Sequence, residues 1–212
     1  MSKITSPISI LEFGSTHVSL GIFDKFVLNQ KLFYEEKIQF TRDNNFTENH
    51  PAFNLIIKAE KDLGHHLNEI DLVLDSPSIH SLDFSIKKYY ENKKLNEDDI
   101  NYLINELEQI VKKHNKDKDI LHTIKSNIIF DNEFFEETEF ISKEVNQAVV
   151  EIKFILINKS DLDSIKNLLL KKHISIKNIY CTSYIKSLSL INKLGISDYS
   201  SFIDIGLKKS SL

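Results

Sequence analysis

The chain has 212 residues, 41% of them hydrophobic, a formal charge of −4 and a single arginine, Arg42. That length supports one substantial core or two modest ones. The negative balance, with lysines scattered among Glu, Asp and Asn, argues against nucleic acid as a partner, because base recognition and bidentate phosphate binding favour arginine. Cys181 is the only cysteine and has no internal disulfide partner, no apolar run approaches membrane-spanning length, and Met1 to Pro7 lead directly into a strand. A reducing, cytoplasmic setting is therefore expected.

The first predicted element is a hairpin. Ile10-Leu11 runs into the acidic Glu12, Gly14-Ser15-Thr16 form a small-residue turn, and Val18, Leu20 and Ile22 alternate with Ser19 and Gly21 in a second strand. Such a turn suits a phosphate. Gly14 is expected at positive φ, Ser15 and Thr16 add hydroxyl donors, and successive N–H groups form an anion nest. Glu12 is placed to hold a water of a phosphate-bound magnesium ion. A third strand is expected at 31–40. Pro51 opens a helix whose apolar face is Phe53, Ile56, Ile57, Leu63 and Leu67, and a fourth strand follows at 70–74. This β-β-β-α-β order is the start of an actin-type core.

The middle block is predicted as a strand at 82–89, a helix, and later strands. Asn96 caps the helix, Glu97, Asp98 and Asp99 favour its positive end, and Ile100, Leu103, Ile104, Leu107, Ile110 and Val111 mark its apolar face. The acidic stretch 132–140, with Phe134, Phe135 and Phe140, is a candidate partner surface beside the commoner reading that it folds back on its own core.

The third block holds a helix started by Ser160 or Asp161 with Leu162, Ile165, Leu168 and Leu169 on one side, and a strand at 174–180. A helix capped by Thr182 or Ser183 follows, its core face carrying Ile185, Leu188 and Ile191, and it stops at Gly195. The last segment repeats the opening plan: an apolar strand ending in Asp204, then Gly206 and hydroxyl residues at Ser210 and Ser211. The two acidic strand ends are expected side by side in one sheet. His65 and His66, like His114, His122 and His173, lack companions at zinc-ligand spacing, and no Walker-type or dinucleotide loop occurs.

Two acid-ended strands with small-residue turns, far apart in one chain, resemble the paired phosphate loops of the actin, Hsp70 and sugar-kinase superfamily. Residues 11–18 with Gly21-Ile22-Phe23-Asp24 resemble the first loop of the bacterial cell-division actin homologue FtsA. Asp204-Ile205-Gly206 with Ser210-Ser211-Leu212 resembles its second. Residues 70–81 resemble the family's strand that enters an inserted subdomain, 120–124 with 128–131 the insert's long strand, and 149–156 its return strand.

The resemblance implies an α/β fold: an actin-like, ribonuclease-H-like ATPase core, incomplete here, at 1–77 and 159–212, with a small SHS2-type α/β insert at 78–158. It implies ATP with magnesium as ligand. Gly14, Ser15 and Thr16 would meet the phosphates from one side, Gly206 and Ser210 from the other, and Glu12 and Asp204 would hold the magnesium's waters. The implied role is a fragment of a division-ring scaffold that links FtsZ to the membrane, recruits later division proteins and self-associates into filaments at the inner face of the cell membrane. It is at most a slow ATPase. Leu207-Lys208-Lys209 stand where the family carries small residues, and the chain stops at Leu212, so the expected nucleotide site is incomplete. The alternatives are a scaffold like the type IV pilus actin homologue PilM and, further off, a sugar or acetate kinase, for which no candidate general base stands in the middle block.

Overall fold

The computed structural model describes residues 7–25, 30–38, 50–134, 144–195, 201–206 and 210–211. In chain order the elements are β1 (Pro7–Phe13), β2 (His17–Asp24), β3 (Gln30–Lys37), α1 (Pro51–Leu63), β4 (Glu69–Leu74), β5 (His80–Lys94), α2 (Glu97–His114), β6 (Lys118–Phe130), β7 (Glu133–Phe134), β8 (Glu144–Asn158), α3 (Lys159–Leu170), β9 (Ser175–Cys181), α4 (Thr182–Leu194), β10 (Asp204–Ile205) and β11 (Ser210–Ser211). They form two compact units, Met1–Ile79 with Ser160–Leu212, and His80–Lys159. Among the described residues no helix is long and apolar enough to cross a membrane. Arg42, Phe135, Phe140, Leu207, Lys208, Lys209 and Leu212, and the far end of the predicted third strand, lie outside the described residues.

The first unit is built on a five-stranded sheet of order β3-β2-β1-β4-β9. β1, β2 and β3 are antiparallel neighbours, as short turns allow, whereas β4 runs parallel to β1 and needs the crossover through α1. β9 lies parallel to β4. The register places Phe13 beside Leu74 and Leu74 beside Cys181, so β1, β4 and β9 end in one row.

Helix α1 packs on β2 and β3. It buries Ala52, Phe53, Leu55, Ile56 and Ala59, while Ile57 is 58% exposed. The predicted face was thus rotated. Ala52, Leu55, Ile56 and Ala59 fall at i, i+3, i+4 and i+7, and the small alanines bring the helix close to the sheet. Leu67 is buried, but beyond the helix end at Gly64, whose φ of 74° makes the left-handed C-cap.

His50 caps α1: its Nδ1 accepts the Ala52 N–H at 3.2 Å, and its ring lies 5.1 Å from that of Phe13. Burial holds its pKa below the ordinary 6.5, against a smaller upward pull from Glu36. The folded state therefore resists protonation that the unfolded chain accepts. Stability is full above pH 6.5 and declines as pH falls through 6.5 towards the lower folded value. Urea melts between pH 8 and 5 should show this decline, and His50→Asn, which keeps a capping side chain, should flatten part of it. His122, also shifted down by burial, contributes in the same direction.

The second unit is a four-stranded antiparallel sheet of order β5-β8-β6-β7, with α2 packed against β5, β6 and β8. Asn96 and Asp99 form a reciprocal capping box, and Ile100, Leu103, Ile104, Leu107 and Val111 are buried. Ile110 is the exception at 41% exposed, on the flank of the stripe. The core joins these to Val150, Ile152, Phe154 and Leu156 of β8 and Ile128 and Phe130 of β6. At β7, Phe134 is 70% exposed.

Helix α3 buries the four predicted residues. Helix α4 does not follow its prediction: Thr182 is its only buried residue, and Leu188 and Ile191 are 41% and 37% exposed. β9 is the sheet's outer strand, so a helix leaving its end has sheet beneath it on one side only.

Candidate functional site

The end of β1 carries the first turn. Glu12 is half-buried, and its Oε2 accepts the Ser19 hydroxyl at 3.2 Å and lies 3.7 Å from His17 Nε2. Gly14 does not take the expected positive φ. Its glycine is required by close approach instead: a Cβ there would meet the His17 carbonyl oxygen and Cε1, each at 3.0 Å. The Gly14 N–H closes the hairpin onto the His17 carbonyl at 2.9 Å, which removes one donor from the predicted nest. Ser15 is half-buried and Thr16 exposed, with the Thr16 hydroxyl 3.3 Å from His17 Nδ1. Gly14→Ala should therefore cost about 1–3 kcal/mol through crowding of the turn, read as a lower urea midpoint, and an unchanged midpoint would show that His17 yields freely.

The start of α4 carries the second half of the site. Cys181 is the N-cap and makes no side-chain cap bond, so neither Thr182 nor Ser183 plays the predicted capping role. Both sit inside the first turn. The Thr182 hydroxyl is buried and, among the described residues, has no hydrogen-bond partner. Ser183 Oγ donates to Asp204 Oδ2 at 3.1 Å, and Lys186 Nζ lies 3.6 Å from the same oxygen. Asp204 thus rests against the positive end of a helix.

Asp204 does not join the sheet of Glu12 as predicted. β10 pairs with β11 in a separate two-stranded sheet, in which Ser210 stands opposite Ile205. The grip of Ser183 and Lys186 fixes Asp204 by its side chain at the start of α4. Gly206 and Ser210 are both exposed on this small sheet.

The common feature is the sheet edge. Phe13, Leu74 and Cys181 are in register, so the Gly14 turn, Asp75 and Thr182 emerge side by side, Gly14 and Thr182 about two strand spacings apart, ~10 Å. Asp75 is tied in by its N–H, which donates to the Phe13 carbonyl at 2.9 Å. Carboxyl ends of parallel strands are where α/β sheets place ligands. Sequence reasoning missed Thr182, Ser183 and Lys186 as site residues; the available signal was a hydroxyl pair at a strand-to-helix junction.

These groups fit a phosphate. A helix N-terminus, the Lys186 ammonium and the Ser15 and Thr16 hydroxyls offer positive potential or donors, while the Ser183 hydroxyl is held by Asp204. Glu12 and Asp204, expected to hold the waters of a magnesium ion, each pair with protein groups through one carboxylate oxygen. Among the described residues no three His, Cys, Asp or Glu side chains cluster to ligate an ion directly.

No family model matches the chain, and no curated protein matches it. It is similar to a solved chain of the "PilM-PilN type IV pilus biogenesis complex", with a TM-score of 0.60 and 9% identity, over 88% of this chain and 51% of that one. At that identity the likeness shows a shared fold. The chain spans about half the length of that neighbour. Two further matches have TM-scores too low to carry weight. A Bacteroides thetaiotaomicron protein "with actin-like ATPase fold and unknown function" matches at 0.41 and 11% identity, over 91% of this chain and 59% of that one. The cytoplasmic domain of EpsL, "an inner membrane component of the type II secretion system of Vibrio cholerae", matches at 0.40 and 8%, over 83% and 57%. The expectation of an α/β fold stands with the fold shared with the chain from the PilM-PilN complex; a division protein in particular does not follow from it.

Proposed function

We propose that this chain carries the phosphate-turn domain of an actin-type scaffold that works by assembling with other proteins at the cytoplasmic face of a membrane, as FtsA and PilM do. The observation that carries the reading is the fold shared with the chain from the PilM-PilN complex across 88% of the present one. That likeness favours the pilus-type partner, and the loop resemblance favours the division-type partner.

The ligand of the site is ATP. Gly14, Ser15 and Thr16 face its phosphates from the first turn, and Gly206 and Ser210 from the second. When bound, ATP supplies a polyphosphate that ties the two turns together, which makes it a structural ligand first. Turnover in this reading is at most slow, as the loop resemblance implies. In this reading His80–Lys159 is the inserted subdomain that meets partners.

Two titrations test the proposal. The purified chain is mixed with the FtsZ tail peptide and, separately, with the PilN-type protein of the same genome, and co-elution is followed by size exclusion. Binding to either supports a scaffold and chooses between the two partners. Binding to neither, from a chain shown folded by circular dichroism, overturns it.

A further inference from the structure

We propose that the His80–Lys159 unit is self-complementary across its two sheet edges: β7 of one copy docks antiparallel beside β5 of a second copy, Glu133 on Lys88 and Phe134 on Lys87 and Tyr89. The occupant is a second copy of this chain, and neither the nucleotide nor the partner reading above is needed for it.

In the order β5-β8-β6-β7 the outer strands are β5 and β7, and an outer strand turns one row of N–H and C=O groups away from its sheet. The two edges carry opposite charge. Residues 87–94 hold Lys87, Lys88, Lys93 and Lys94 against Glu91 alone, and residues 131–139 hold Asp131, Glu133, Glu136, Glu137 and Glu139 with no lysine or arginine. Several of these are engaged inside the unit: Lys93 pairs with Asp99, Lys94 stands opposite Glu144, and Asp131 accepts the Asn146 and Gln147 N–H groups. Lys87 and Lys88 rest instead over the exposed rings of Tyr89 and Tyr102, at 5.0 and 4.9 Å. Register selects the meeting point. One row across the sheet runs Lys88, Ala148, Phe130, Glu133, and the next runs Lys87, Val149, Ile129, Phe134. Because β5 and β6 are both antiparallel to β8, and β7 is antiparallel to β6, β7 runs opposite to β5. A second copy set in the same orientation at the end of these rows therefore continues the antiparallel alternation. Glu133 then meets Lys88, and the exposed Phe134 meets Lys87 and the Tyr89 ring two residues along on the same face. Like edges are excluded by the same charges, since β5 against β5 brings lysines together and β7 against β7 brings glutamates together. Charge that merely blunts an edge needs no particular sign, whereas opposite signs in one row are what docking requires. The contact is short, which makes it weak and transient, and its charges are exposed, which makes it salt-sensitive.

Sedimentation velocity on the full chain, up to about millimolar concentration, tests this with Lys88→Glu and Glu133→Lys, each shown folded by circular dichroism. Wild type should sediment faster as concentration rises at low salt and return to the monomer value at high salt. Each variant presents like charge at both ends of the row and should associate at least about fivefold more weakly. Mixed in equal amounts, the variants offer an acidic β5 edge to a basic β7 edge, and association should recover to within about twofold of wild type. A second arm reads the contact directly. Within one copy Lys88 and Glu133 lie three strand spacings apart, ~14 Å, so a zero-length carbodiimide amide between them joins two copies. Isotope-light and isotope-heavy chains mixed before the reaction should yield light–heavy Lys88–Glu133 cross-linked peptides. A wild type that stays monomeric throughout, association that neither variant weakens, variants that stay weak when mixed, or the absence of the light–heavy cross-link overturns the proposal. Each of those results leaves the scaffold reading standing, to be judged by the co-elution test above.

Discussion

Phe154→Ala is expected to lower the stability of the His80–Lys159 unit by about 3–5 kcal/mol. Phe154 is fully buried in the middle of β8, between Leu82 of β5 and Thr123 of β6, and its ring meets that of Phe84 edge-on at 6.0 Å. Both flanking strands are hydrogen-bonded to β8 for most of its length, so they cannot close on the space left behind, and α2 is held by its capping box and the rest of its buried face. The cavity term therefore adds to the lost transfer energy. A domain has roughly 5–15 kcal/mol in total, so this one change removes a large share. Hydrogen exchange reads it by location. Amides of β6 and β8 should lose protection while those of β1 and β4 keep theirs, because the first unit has its own core of Leu11, Leu20, Ile22 and Leu72. A loss under about 1 kcal/mol would mean that the sheet and helix collapse onto the gap.

What was legible in the sequence depended on whether the signal was local. Helix α2 was readable almost to the residue, because a cap, an acidic first turn and a period-3.6 stripe all sit within one stretch, and only Ile110 at the stripe's edge was misplaced. The face of α1 was harder. Phe53 and Ile56 marked it, but the small Ala52 and Ala59 that let the helix approach the sheet carry little hydrophobic signal, and Ile57 carries a strong one while pointing away. Gly14 shows a right residue with the wrong reason: the turn needs it for the His17 carbonyl, not for a left-handed backbone. Helix α4 failed because a periodic apolar face says that burial is favourable and is silent about what covers it. The candidate site divided the same way. Glu12 and Asp204 stood out as acids ending apolar strands, but their partners Ser19, Ser183 and Lys186 are set by turns and a helix start that bring 7 and 21 residues of separation to hydrogen-bond distance. Hairpin register encodes the first contact, since Glu12 stands opposite Ser19, and no spacing rule encodes the second.

Leu72→Asp is expected to prevent the first unit from folding at neutral pH, a loss beyond the roughly 4–5 kcal/mol that marks exceptional substitutions. Leu72 is fully buried in β4, with β1 and β9 hydrogen-bonded on either side and Leu11 and Ile179 as its register neighbours. A carboxylate there has no cation among those neighbours, and burying an unpaired charge costs several kcal/mol. The group would answer by raising its own pKa above the ordinary ~3.9. The sign follows: the folded state then binds a proton that the unfolded chain releases, so the penalty is full at neutral pH and relaxes as pH falls through the raised value. Leu72→Asn is the control, because it has the same shape and no charge. The aspartate variant should be much less stable than the asparagine variant at pH 7, and the gap should narrow towards pH 4. Equal melts at both pH values would place Leu72 in contact with water and contradict its burial. The consequence reaches the site, because β4 is the strand that aligns Phe13 with Cys181. Without it the Gly14 turn and the α4 start no longer share an edge, and the hydrogen-exchange protection of the β1 amides should vanish.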